Sequence, residues 1–201
     1  MKHSQSPEAY LAHTPGLVVV MPSGPKDAKG LLISSIRSED PVIFLEPKVL
    51  YRSAVETVPT GDYEIPLGKA AIVESGKDVT IVSYGSQLRI IQRAAVHAKQ
   101  QHNISCEIID LRTILPWDVS TVTNSVLKTG KCIVSHEAPI TCGFGAEIVA
   151  TIQRECFWSL ESPVERVCGM DTPFPLVLEK HYLPNEMKVY DAILRVMDSS
   201  K

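Results

Sequence analysis

Val79-Thr80-Ile81-Val82-Ser83-Tyr84 is followed at once by Gly85-Ser86 and then by Leu88, Ile91, Ala95 and Ala98. The first six residues form a β-branched run with the composition of a buried strand. Gly85-Ser86 turns the chain, with Ser86 as the expected N-cap, and the apolar spacing after it is that of one helix face. The alternation continues downstream. Ile104 to Ile109 predicts a strand, and Asp118 caps a helix carrying Val119, Val122 and Val126 that Gly130 ends. Cys132-Ile133-Val134 predicts a third strand. A helix from about Phe144 to Cys156 follows, then a strand from Val164 to Val167 and an amphipathic helix from Glu186 to Met197. Near-continuous apolar strands separated by helices require a parallel sheet covered on both faces. Residues 67–201 are therefore expected to form a complete doubly wound α/β domain.

Upstream, Leu17-Val18-Val19-Val20 reads as a strand. Ser23-Gly24-Pro25 opens a helix with Ala28, Leu31, Leu32 and Ser35 on one face, and Val42-Ile43-Phe44-Leu45 is the next strand. This is a βαβ unit. Between residues 46 and 68, Pro47, Pro59, Gly61, Pro66 and Gly68 interrupt all periodicity, as expected of a linker. Two strands and two helices cannot build an independent core. Residues 1–66 are thus expected to be the remnant of a larger domain plus a linker, with an exposed sheet edge.

The chain has 201 residues, 44% of them hydrophobic, and a net charge of -3. No basic run points to nucleic acid, and no apolar stretch approaches the roughly 20 residues of a spanning helix. Cysteines stand at 106, 132, 142, 156 and 168, an odd number without a C-x-x-C pair, which speaks against a disulfide framework or zinc cluster. Nucleotide loops and hydrolase elbows are absent. Gly143-Phe144-Gly145 lacks the third glycine of a dinucleotide fingerprint and reads as a tight turn into a helix. His136 and Glu137 end a buried strand, where such sheets place ligands; acid–base work is one reading and a hydrogen-bonded structural histidine is favoured on spacing. Asp110-Leu111-Arg112-Thr113 reads as an ion pair fixing a loop.

Several stretches together resemble a known family. They are His3-Ser4-Gln5-Ser6-Pro7-Glu8-Ala9, His13-Thr14-Pro15-Gly16-Leu17-Val18-Val19 and Ala28-Lys29-Gly30-Leu31-Leu32. Further along come Ile109-Asp110-Leu111-Arg112-Thr113-Ile114 with Pro116-Trp117-Asp118, then Ser135-His136-Glu137-Ala138-Pro139. The last are Arg166-Val167-Cys168-Gly169 and Asp171-Thr172-Pro173-Phe174-Pro175. The resemblance is to β subunits of 2-oxo acid dehydrogenase decarboxylase components. The His-Glu-Ala-Pro, Leu-Pro-Trp-Asp and Asp-Thr-Pro-Phe-Pro segments look more like the branched-chain member than the pyruvate-specific one.

The resemblance implies the C-terminal part of a thiamine-diphosphate (pyrimidine-binding) domain followed by a transketolase C-terminal-like domain. It implies mitochondrial matrix chemistry, with an α subunit in an α2β2 heterotetramer and a lipoyl acyltransferase core as partners. The reaction would be decarboxylation of branched-chain 2-oxo acids and acyl transfer to lipoyl, in branched-chain amino acid catabolism. His3 matches the active-site histidine of the family, with proton transfer as its implied role. Ser35, Ser38 and Asp40 fall on part of a backbone-carbonyl potassium site. The family glutamate and aromatic residue that activate thiamine diphosphate match nothing here, so this chain alone is expected neither to bind the cofactor nor to turn over substrate. A noncatalytic assembly module and the pyruvate-specific relative are the competing readings.

Overall fold

The computed structural model describes residues 5–199. Chain order begins with α1 (Glu8–Ala12), β1 (Val18–Val20), α2 (Pro25–Arg37), β2 (Val42–Phe44) and α3 (Leu50–Ser53). The larger part follows as β3 (Ala71–Glu74), β4 (Val79–Ser83), α4 (Gln87–His102), β5 (Cys106–Asp110), β6 (Thr113–Leu115) and α5 (Val119–Thr129). It ends with β7 (Cys132–Pro139), α6 (Gly145–Cys156), β8 (Glu165–Gly169), α7 (Glu179–Tyr182) and α8 (Glu186–Asp198).

The main sheet has the order β3-β5-β4-β7-β8. β5, β4, β7 and β8 run parallel, and β3 pairs antiparallel on the β5 edge. Successive residues of a strand face opposite ways. Ile81, Ile108 and Ile133 accordingly pack with α4 and α8, while Val82, Ile109 and Val134 pack with α5 and α6. Both faces are covered, so the strands must be apolar throughout. Asp118 caps α5 by accepting from the Thr121 N–H at 3.1 Å, and Gly130 closes it in the left-handed conformation (φ 68°). Ser86 stands at the N-terminus of α4 but makes no cap bond; its hydroxyl donates to Glu137 instead.

The N-terminal part departs from expectation in one respect. β1 pairs parallel with β2, as a βαβ unit requires, but its other edge takes β6 antiparallel, with Val19 opposite Leu115 and Val20 opposite Thr113. That edge is therefore covered by the second half of the chain. Val19 and Met21 sit in the same core as Val82, Ile109 and Val134, while Val18, Val20 and Leu31 form a small separate cluster. The linker segment contains one short helix, α3, and is tied to α2 by the Lys29 Nζ bond to the Gly61 carbonyl at 2.8 Å. Among the described residues no helix is long and apolar enough to cross a membrane.

Candidate functional site

His3 lies outside the described residues, two positions before Gln5 and five before Glu8. The chain that leaves it enters α1, and α1 forms one wall of a groove of about 490 Å³. Gln5, Tyr10 and His13 line that wall; Thr141, Cys142 and Gly143, between β7 and α6, line the other. The groove thus lies along the carboxyl end of β7, the end at which parallel sheets bind ligands.

Beneath it runs a buried polar chain. Glu8, the first residue of α1, is fully buried. The Tyr84 hydroxyl, just past β4, donates to Glu8 Oε1 at 2.9 Å; Glu8 Oε2 is buried and has no hydrogen-bond partner among the described residues. Burial and the adjacent Glu8 hold the Tyr84 pKa well above its usual value, so Tyr84 stays a donor. Its ring stacks on His136 with centroids 5.9 Å apart. His136 in turn accepts the Gly145 N–H at Nε2, 3.1 Å away.

That bond fixes His136 as a neutral imidazole with its proton on Nδ1. Burial pushes its pKa down to about 4, and burial raises the nearby Cys168 thiol to about 12, although Cys168 Sγ is 3.3 Å from Nε2. Burial thus disfavours a charged imidazole and a thiolate here, and the Gly145 N–H bond makes His136 a hydrogen-bonded residue of the packed interior. Glu137, also raised by burial, is bonded to Ser86 and not to His136. Gly143 and Gly145 are required by the packing of this ring: a Cβ at Gly145 would stand 2.7 Å from His136 Nε2. The glycines serve a histidine and make no phosphate loop.

The expected Asp110–Arg112 ion pair is not formed: the Arg112 guanidinium pairs with Asp27, and Asp110 takes only the Arg112 backbone N–H. Asp110 accepts from the Ser23 hydroxyl at 2.5 Å and from the Arg112 N–H at 3.1 Å, and the Arg112 guanidinium reaches Asp27 at 2.8 Å. The cluster joins β5 to the start of α2. Burial pushes the Asp110 pKa up to about 7 despite both donors.

Ser35, Ser38 and Asp40 lie at the carboxyl end of α2. The Ser35 hydroxyl donates to the Leu31 carbonyl and the Ser38 hydroxyl accepts from the Asp40 N–H. Asp40 is exposed just beyond this helix end, and Arg37 stands in its last turn. Thiamine diphosphate fits poorly. The groove beside α1 has no Lys or Arg in its lining to neutralise a diphosphate and no carboxylate to engage an aminopyrimidine.

Glu8 and Tyr84 were not singled out from the sequence. A glutamate in a first helical turn reads as a solvated residue facing the helix dipole, and only the fold shows that it is buried.

Residues 68–189 match the family model described as transketolase, C-terminal domain, and residues 1–54 match transketolase, pyrimidine binding domain. The chain belongs to the transketolase C-terminal domain family, preceded by pyrimidine-binding-domain sequence. It is 62% identical over 97% of its length to the mitochondrial 2-oxoisovalerate dehydrogenase subunit beta of Dictyostelium discoideum, covering 53% of that protein. It is 57% identical over 95% of its length to the mitochondrial subunit beta 2 of Arabidopsis thaliana, covering 53%. To the Pseudomonas aeruginosa subunit beta it is 46% identical over 98%, covering 59%. The chain thus spans about half the length of the curated relatives it matches. A solved structure described as split gene transketolase, inactive beta4 tetramer, shares the fold with a TM-score of 0.80 at 23% identity, over 96% of this chain and 61% of that one.

Proposed function

We propose that the chain is the C-terminal part of the β subunit of a thiamine-diphosphate-dependent branched-chain 2-oxo acid dehydrogenase. The observation that carries this reading is the 62% identity across nearly the whole chain to a 2-oxoisovalerate dehydrogenase β subunit. In this role the chain pairs with an α subunit in an α2β2 heterotetramer of the mitochondrial matrix. The assembly decarboxylates branched-chain 2-oxo acids and hands the acyl group to lipoyl on the acyltransferase core. His3 would move a proton at its imidazole, for which an unperturbed pKa near neutrality is suited. The end of α2 at Ser35, Ser38 and Asp40 would hold potassium through backbone carbonyls. Contacts to the cofactor would fall to the α subunit and to other parts of the β subunit.

Co-expression with an α subunit tests the reading. The complete β subunit should co-purify with it and act on 2-oxoisovalerate in preference to pyruvate. Preference for pyruvate, or no association with α, would overturn it; association without turnover would mark a noncatalytic assembly module. Calorimetry on the isolated 201-residue chain should show no tight thiamine diphosphate binding.

A further inference from the structure

We propose that Asp62 and Glu64 are positioning residues for the cation site at the end of α2. They hold the Arg37 guanidinium off the helix-end carbonyls, an inference that rests on the reading of that end as the potassium site. The last carbonyls of a helix lack intrahelical donors and form its negative end. Arg37 stands in the last turn of α2, and Ser38 already leaves the helix in an extended conformation (ψ 141°). A last-turn arginine can itself hydrogen-bond such carbonyls. It would compete with a potassium ion for them, and its charge would repel the ion. The two terminal nitrogens of Arg37 are instead engaged elsewhere: Nη2 donates to Asp62 Oδ2 at 2.7 Å, and Nη1 donates to Glu64 Oε1.

Both carboxylates are set in place by the segment that carries them. Lys29 Nζ donates to the Gly61 carbonyl at 2.8 Å, the Tyr63 hydroxyl to the Lys26 carbonyl at 2.7 Å, and the Ser34 hydroxyl to the Ile65 carbonyl at 2.7 Å. The Ile65 N–H reaches the Gly30 carbonyl at 3.3 Å. Gly30 lets the segment lie this close: a Cβ there would stand 2.7 Å from Ile65 Cγ1 and 2.8 Å from Tyr63 Cε2. Residues 61–65 are thus a strap fastened along α2, and each acid sits between two anchored neighbours. Arg37, Asp62 and Glu64 are about half exposed, so their pairing adds little to folding stability. Its effect is on the charge at the helix end, where one guanidinium meets two carboxylates and Asp40 lies exposed just beyond. With the strap acids that neighbourhood is net negative and the arginine is occupied; without them the guanidinium is released beside the carbonyls.

The test uses the complete β subunit assembled with its α subunit, melted across a potassium chloride series in which choline chloride keeps the ionic strength constant. A ligand held by the folded form raises the melting point with its concentration, which yields a potassium midpoint without any measurement of turnover. The Asp62→Asn/Glu64→Gln double variant should raise that midpoint about three- to tenfold, because the freed guanidinium then occupies the carbonyls. In an Arg37→Gln background the same two changes should move it less than about twofold, because the acids act through the arginine. All the changes are at exposed side chains, so each protein should assemble, and co-purification with α checks this. An equal shift in both backgrounds would overturn the positioning role, since the acids would then act as ordinary surface charges. An unchanged midpoint in the double variant overturns it as well. A parent whose melting point is the same in potassium and in choline overturns the potassium reading itself, and this proposal with it.

Discussion

Gly145 stands where a side chain has no room. Replacing it with alanine gains about 1 kcal/mol of helix propensity. The added methyl group meets His136 Nε2 at 2.7 Å and Val134 Cγ1 at 3.2 Å, and His136 is wholly buried and cannot retreat. Overpacking of this kind costs about 1–3 kcal/mol and more where the neighbour is rigid, so the clash wins. Gly145→Ala should lower the urea midpoint with an unchanged slope; a midpoint at or above that of the parent would show that the ring yields. Asp110 provides a second residue-scale test. Its folded pKa of about 7 lies above the ordinary 3.8, so its contribution to stability is complete below about pH 4 and is lost as pH rises through about 7. In Asp110→Asn that loss disappears. Stabilities should diverge in favour of the asparagine variant from about pH 4 to about pH 7 and keep a constant difference above that. Parallel curves would mean that Ser23 and Arg112 stabilise the carboxylate fully.

Elements depend on a few ends and edges. Asp118 caps α5 and also accepts the Ala70 N–H at 3.2 Å, which ties the segment entering β3 to the helix. Asp118→Ala should therefore cost about 2 kcal/mol, at the upper end for an N-cap, read from urea unfolding. A loss below about 0.5 kcal/mol would show that solvent replaces both bonds. This cap was legible in the sequence, as were Gly130, the central strands and both halves of the βαβ unit, because each carries its own chemistry: an acceptor, a left-handed turn or a continuous apolar run. The elements that escaped notice lack such marks. β3 is an edge strand, mostly exposed, and its Ala71-Ile72-Val73-Glu74 run is too short to show a period. β6 is three residues long and finds its partner nearly a hundred positions away. Ser86 has the right residue type for a cap, but the half-buried Glu137 competes for its hydroxyl and wins. Burial of Glu8 was invisible for a related reason: the covering surface comes from β4 and beyond.

At the scale of the molecule, the two parts are one object joined along β1. The segment from 54 to 64 is largely exposed and without strand or helix, and Glu56 lies near its start. A glutamate-specific protease should cut first after Glu56. The nicked halves should still elute together, because β1 pairs with β6 and Val19 sits in the main core. Separation of the two fragments under native conditions would contradict that joint. The same pairing has a consequence for how the chain is made. Thr113 follows Val20 by 93 residues. At about 5–20 residues per second, β1 waits roughly 5–20 seconds on the ribosome for the strand that closes its edge. Through that interval the nascent N-terminal sheet offers an apolar, hydrogen-bond-hungry border to its surroundings, and holding factors that bind such borders have their natural window there.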